Sequence, residues 1–255
     1  MIRFASLGSG SAGNALLVES GETRLLIDCG FGLREAAFRL ARLGLAPDEL
    51  SAILVTHEHG DHAAGVFALA RRYRLPVWAS HGTRAACSRC ADGVDFRLMD
   101  GHSSIGIGDL SVTPYTVPHD AREPLQFVFS DGDFRLGVLT DAGEITGHMR
   151  AVLDRVDALV LECNHDPDLL AASSYPPPLR RRIAGRFGHL ANAAAAGLLR
   201  TIDCSRLQHV VAAHLSETNN RPALAVAALA GALGCAADWI GVASQKEGFG
   251  WRSVA

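Results

Sequence analysis

Long apolar runs are missing from this 255-residue chain. None approaches the roughly 18 to 20 apolar residues of a membrane span, which excludes a membrane-spanning helix. Lysine is nearly absent: Lys246 is the single one among 24 basic residues. The formal net charge of -3 gives no global attraction for a polyanion, so a nucleic-acid partner would need a local basic track. Paired cysteines are also lacking. Cys29, Cys87, Cys90, Cys163, Cys204 and Cys235 are scattered, and Cys87-Ser88-Arg89-Cys90 has no second C-x-x-C to complete a zinc ribbon. They read as buried or incidental thiols rather than a disulfide framework. Met1 to Ala5 runs straight into a strand pattern without a basic leader and apolar segment, so a cytoplasmic location is expected. Low-complexity segments are absent.

What is present is enough apolar material, 48% of residues, for a large core, and one domain over 1–255 is expected. Strand patterns fall at about Ile2–Leu7, Ala15–Glu19, Thr23–Ile27, Ser51–Val55, Pro76–Ala79, Asp95–Leu98, Leu110–Val117, Leu125–Ser130, Phe134–Thr140, Ala158–Glu162, Leu207–Ala212 and Trp239–Ala243. Helical spacing marks Leu33–Leu43, Ala63–Tyr73, Leu190–Ile202 and Pro222–Leu233, and Pro176-Pro177-Pro178 reads as loop. Two rounds of strands followed by helices suggest a pair of sheets with helices outside.

Against this background one run stands out: Thr56-His57-Glu58-His59-Gly60-Asp61-His62. Placed on a loop between the Ser51–Val55 strand and the next helix, His57, His59, Asp61 and His62 can converge on a point. Imidazoles and a carboxylate packed so closely are costly to bury unpaired, and divalent metal ions are the simplest partner. Three more candidates follow strands: His119, Asp141 and His214. Seven ligands exceed the needs of one tetrahedral ion and suit two. His57, His59 and His119 are assigned to one ion and Asp61, His62 and His214 to the other, with Asp141 bridging. Zn and Mn suit such a set, with Fe also compatible. His81, His102, His148 and His209 receive no site role, and Glu58 points away.

The set H-x-H-x-D-H, then His119, Asp141 and His214 in that order, resembles the metallo-β-lactamase superfamily. The resemblance implies an α/β fold, the four-layer αβ/βα sandwich of two mixed sheets flanked by helices. It also implies that Asp28 braces the metal loop by hydrogen bonds rather than binding metal. Further motifs are similar to the YycJ (WalJ) family: Ser9-Gly10-Ser11-Ala12-Gly13-Asn14, Val117-Pro118-His119-Asp120-Ala121, Glu162-Cys163-Asn164-His165-Asp166, Tyr175–Arg182, Gly188-His189-Leu190-Ala191-Asn192, and His214-Leu215-Ser216 with Asn219-Asn220. They span nearly the whole chain in family order. Ala193, Ala194 and Cys163 depart from the family's usual residues. Membership implies a metal-dependent 5′→3′ DNA exonuclease linked to mismatch repair, with DNA as the partner.

Phosphodiester hydrolysis needs a nucleophile, charge neutralisation and help for the leaving oxygen. Two ions sharing a water of lowered pKa supply the first two. Asp141 argues against antibiotic hydrolysis, since metallo-β-lactamases proper usually lack it. His189, close after Arg180, Arg181, Arg182 and Arg186 and placed at a helix start, is the candidate for the third task; Asp61 and His189 are the catalytic candidates. Asn192 is expected to orient His189 or contact phosphate. Ser9, Ser11 and Asn14 belong to a Gly/Ser loop whose amides could cradle phosphate, and Ser216 and Asn219 could contact substrate. His165 is expected behind the ligands. The alternative is a small-molecule hydrolase of the same fold acting on a thioester, lactone or cyclic phosphodiester. The added helical domain of glyoxalase II and the long insert of tRNase Z are both missing.

Overall fold

Short apolar stretches bounded by turn residues become strands along the whole chain. The computed structural model describes residues 1–255. The strands are β1 (Ile2–Gly8), β2 (Ala15–Ser20), β3 (Thr23–Ile27), β4 (Ala52–Leu54), β5 (Val77–Ala79), β6 (Phe96–Leu98) and β7 (Ile105–Ile107). They continue with β8 (Leu110–Thr116), β9 (Leu125–Ser130), β10 (Arg135–Leu139), β11 (Ala158–Glu162), β12 (His209–Ala213), β13 (Ile240–Val242) and β14 (Phe249–Val254). The α-helices are α1 (Leu33–Arg42), α2 (Gly60–Ala63), α3 (Val66–Tyr73), α4 (His81–Ala86), α5 (Gly147–Leu153), α6 (Pro167–Ala172), α7 (Pro177–Ile183), α8 (Asn192–Leu199) and α9 (Pro222–Leu233).

The strands form two seven-stranded sheets, ordered β14-β1-β2-β3-β4-β5-β6 and β13-β12-β11-β10-β9-β8-β7. Both are mixed: β3 to β6 run parallel in the first, and β10 to β13 in the second. Three apolar clusters define the layers. One, with Phe4, Val18, Phe127, Phe129, Val160 and Val211, is drawn from both sheets and fills the space between them. A second joins the first sheet to α1 and α3 through Leu26, Ile53, Ala36, Leu40 and Leu69. The third joins the second sheet to α5, α8 and α9 through Leu159, Val210, Met149, Leu198 and Leu229. Residues facing both ways along one strand are therefore apolar, as expected for strands covered on both faces. Each fully buried Leu or Phe contributes about 1.5–3 kcal/mol. The architecture is the αβ/βα sandwich expected from the resemblance. No helix is long and apolar enough to cross a membrane.

Several local expectations change. Asp61 and His62 lie within α2, whose N-cap is His59, rather than on a free loop. The expected Ala63–Tyr73 helix breaks at Gly65, whose N–H donates to Cys29 O at 2.8 Å instead of continuing the helical ladder. A Cβ there would stand 1.8 Å from Phe31 O, so only glycine permits the approach. The Pro176–Pro178 segment, expected as loop, opens α7 with Pro176 as N-cap, because proline suits a helix's first turn, where no N–H partner is needed. The expected Leu190–Ile202 helix begins only at Asn192, leaving His189 outside it.

Candidate metal centre

Strand register brings the distant site residues together. Leu139 of β10 pairs with Leu161 of β11, and Leu161 with Ala212 of β12. Asp141, Glu162 and His214 therefore emerge side by side at the carboxyl ends of adjacent parallel strands. On the first sheet Ile27 pairs with Leu54, which sets Asp28 beside the His57–His62 run. Carboxyl ends of parallel strands are where open α/β sheets bind ligands. Asp28, Asp141 and His214 share a further trait: each is left-handed, with φ of 59°, 51° and 53°. Asp and His are among the few side chains enriched in that region. The turn it imposes redirects the chain immediately after the strand.

Four histidines have the same hydrogen-bond arrangement. Nδ1 of His57 donates to Thr56 Oγ1 at 2.9 Å, and Nδ1 of His62 to Asp28 Oδ2 at 2.8 Å. Nδ1 of His119 donates to Gly188 O at 2.9 Å, and Nδ1 of His214 to Glu162 Oε1 at 3.2 Å. Each bond holds Nδ1 as the donor and turns Nε2 inward, the usual support for a metal-binding imidazole. His59 is reversed: its Nδ1 lies 3.0 Å from His57 Nε2 and 3.3 Å from His119 Nε2. Asp28 completes the brace by accepting from Thr56 N–H and Thr56 Oγ1–H, both at 2.8 Å.

Ligand atoms of His57, His59 and His119 lie within 4.8 Å of one another, as do those of Asp61, His62 and His214. Asp141 sits between the two groups, with Oδ2 3.0 Å from His62 Nε2 and Oδ1 3.9 Å from His119 Nε2. Asp61 Oδ2 is 3.5 Å from both His62 Nε2 and His214 Nε2. Asp141 Oδ2 and His214 Nε2 are buried and have no hydrogen-bond partner. A proton on His59 Nδ1 could satisfy only one of the two nitrogens that face it, and buried orphan acceptors need a partner. The donor set fits divalent metal ions; the groups overlap, since Asp141 also falls with His57 and His62, and with Glu162, His189 and His214.

Charge follows the same logic. Burial holds His57 well below the ordinary imidazole pKa and also lowers His119. Burial opposes protonation of His62 too, but Asp141 and Asp28 outweigh it and raise that ring well above its usual value. His214 is pushed up to about 10, against burial, by Asp141, Asp61 and Glu162. Asp141 is held well below the carboxylate range, against burial, by His214 and His62. The cluster's carboxylates demand positive charge, from imidazolium protons when metal is removed and from metal ions otherwise.

Glu162 received no role from the sequence. It is fully buried. Oε2 accepts from Ala142 N–H at 2.9 Å and Leu190 N–H at 3.2 Å, and Oε1 from Nδ1 of His189 at 2.9 Å and of His214 at 3.2 Å. Four donors use the carboxylate's accepting capacity, so Glu162 positions both rings and is not itself a ligand. An acidic residue closing an apolar strand, as Asp28 does, was the available signal. With Nδ1 held, His189 keeps Nε2 for the cleft that it lines with Ser11, Asn164, Tyr175, Arg182, Ser216 and Asn219. Burial works against the charged form of His189, but Glu162 raises its pKa overall.

The other expected site residues divide. Ser11, Ser216 and Asn219 line the cleft. Ser9 and Asn14 are buried behind the ligands: Ser9 Oγ accepts from His214 N–H at 2.8 Å and donates to Asn14 Oδ1 at 3.3 Å, and Asn14 Nδ2 lies 3.1 Å from His62 Nε2. Asn192 neither orients His189 nor faces the cleft. It is buried, and its amide exchanges two 2.9 Å bonds with that of Asn220. His165 is buried in a separate cleft with Pro167, Leu170, Arg180 and Arg181. Arg182 Nε donates to Asp120 Oδ2 at 2.5 Å, and Asp120 Oδ1 is 3.5 Å from His119 Nε2, so that arginine is tied to the metal loops.

The sequence pattern of the Beta-lactamase superfamily domain matches residues 23–214. The chain is 36% identical to the exodeoxyribonuclease YycJ of Bacillus anthracis over 229 residues, covering 88% of this chain and 86% of that protein. It is 32% identical to the exodeoxyribonuclease WalJ of Streptococcus pneumoniae, again over 229 residues, with 88% and 85% covered. Its fold is similar to the metallo-β-lactamase fold protein YhfI from Bacillus subtilis, with a TM-score of 0.76 at 15% identity, covering 99% of this chain and all of that one. The chain belongs to the β-lactamase superfamily, in its YycJ/WalJ-like family.

Proposed function

We propose that this chain is a metal-dependent phosphodiesterase that degrades DNA as a 5′→3′ exonuclease. The observation that carries the reading is the convergence of His57, His59 and His119, and of Asp61, His62 and His214, about the buried Asp141, with His189 lining the adjoining cleft. Its similarity to two exodeoxyribonucleases over most of the chain supports DNA as the substrate. His57, His59 and His119 would hold one divalent ion and Asp61, His62 and His214 the other, with Asp141 between. Zn and Mn both suit imidazole with carboxylate, and Fe is compatible. When bound, such a pair supplies Lewis acidity toward the phosphoryl group and an activated water.

The chain's own residues do the rest. Asp28 and Thr56 lock the ligand loop. Glu162 keeps His214 and His189 in single orientations and favours the protonated form of His189. In 5′→3′ cleavage with a 5′-phosphate left on the shortened strand, the bond that breaks is P–O3′ of the terminal nucleotide. His189 Nε2–H gives its proton to that departing oxygen. Arg182, exposed on α7 and anchored by Asp120, adds cationic charge beside the cleft. Digestion of 5′-labelled single- and double-stranded DNA with added Mn or Zn, beside thioester and lactone substrates, tests the reading. Labelled mononucleotide at the earliest times is the expected result; intact DNA with thioester or lactone turnover would replace it with the small-molecule hydrolase.

A further inference from the structure

Asn219 is the most exceptional buried side chain outside the ligand cluster. It is 1% exposed, yet neither Oδ1 nor Nδ2 has a hydrogen-bond partner. Leaving buried polar groups unpaired costs about 1–3 kcal/mol each, so a native fold keeps such a residue only where something else uses it. Its backbone is well anchored: the N–H donates to Ser216 Oγ at 3.1 Å, and the carbonyl accepts from Asp166 N–H at 2.9 Å. The neighbouring Asn220 shows the contrast, since its amide is spent on Cys163 O and Asn192. Asn219 lines the same cleft as His189, with α7 supplying one wall through Leu179, Arg182 and Ile183, and Tyr175 at the approach to that helix.

We propose that this cleft is the subsite for the departing 5′-terminal nucleoside, with the Asn219 amide pairing to the edge of its base. The inference rests on the exonuclease reading, because that reading puts the leaving O3′ next to His189 and hence the leaving nucleoside in the cleft that His189 lines. A base edge offers donors and acceptors together, as an amide requires; a phosphate, which mainly accepts, would leave Oδ1 unpaired. Tyr175 supplies an aromatic ring beside it, and base–aromatic contact tolerates every base. Arg182 stands at the mouth for the flanking phosphate. Recognition of one terminal unit, rather than an internal stretch, also accounts for cleavage from an end.

The test uses the full-length, metal-loaded protein and 5′-labelled oligonucleotides whose first residue is either thymidine or an abasic tetrahydrofuran. Wild type should lose about tenfold in kcat/KM when the terminal base is removed, the equivalent of one to two hydrogen bonds. Asn219→Ala should lose about tenfold on the thymidine-ended strand and almost nothing more on the abasic one. Tyr175→Ala should show the same split. The Asn219→Ala melting temperature should be unchanged or higher, because no hydrogen bond is lost. Equal losses on both strands, or none on either, would overturn the subsite while leaving exonuclease activity intact. A wild type that cleaves neither strand but turns over thioester or lactone would overturn the exonuclease reading and the subsite with it.

Discussion

Glu162→Gln changes one atom and should disable the centre from behind. The wild-type carboxylate serves four donors, the backbone N–H groups of Ala142 and Leu190 on one oxygen and the Nδ1–H groups of His189 and His214 on the other. Glutamine has one carbonyl oxygen. Whichever way the amide turns, its NH2 meets two N–H donors, and two buried hydrogen bonds are lost. At about 1–3 kcal/mol for each unsatisfied buried group, the fold loses stability and His214 loses its fixed tautomer. Loss of such a supporting partner typically costs about 10–100-fold in metal affinity, which is the expected drop in a chelator-competition titration. The charge matters separately. His189 is raised by Glu162 despite its burial, so removing the negative charge lowers its pKa. A general acid is active when protonated, and the alkaline limb of the kcat profile should therefore move to lower pH in the variant. Unchanged metal affinity together with an unmoved alkaline limb would refute the positioning role of Glu162.

Other expectations are more local. His189→Ala should retain metal content but slow DNA hydrolysis roughly 10²-fold, as loss of a general acid does, and an unaltered single-turnover rate would remove His189 from catalysis. Metal binding should release protons. With His62 well above the ordinary imidazole pKa and His214 near 10, both rings are protonated in metal-free protein at pH 7.5 and must lose that proton to coordinate. Affinity should fall as pH falls, and calorimetry in two buffers of different ionisation enthalpy should give a positive number of protons released; zero release would contradict the charge assignment. Asp28→Ala leaves Thr56 N–H, Thr56 Oγ1 and His62 Nδ1 without their acceptor. It should lower the melting temperature and weaken metal binding together, and an effect on only one of them would separate the brace from the site.

The candidate ligand run was legible because coordination chemistry leaves a local mark: four potential ligand residues within six positions have few structural explanations. His119, Asp141 and His214 were legible through position, each following an apolar strand. Glu162 obeys the same rule but was not singled out, because nothing local separates it from an ordinary strand-end acid. Only the register of β10, β11 and β12 puts it beneath two imidazoles. Asn192 misled for a related reason. Its partner Asn220 is 28 residues away, and sequence proximity to His189 suggested a contact that the packing does not make. The Pro176–Pro178 run misled through composition, since prolines that cannot continue a helix can begin one. The short β7 and the closing β14, which pairs with β1 through register shifts and contains Gly250, carry too little periodicity to be found before their partners are known.

Metal content measured by elemental analysis tests the central claim most directly. Wild-type protein saturated with Mn or Zn and freed of excess should carry about two ions per chain, and Asp141→Ala about one, with DNA hydrolysis abolished. A single ion at saturation, or none, would contradict a centre in which Asp141 joins His57, His59 and His119 to Asp61, His62 and His214.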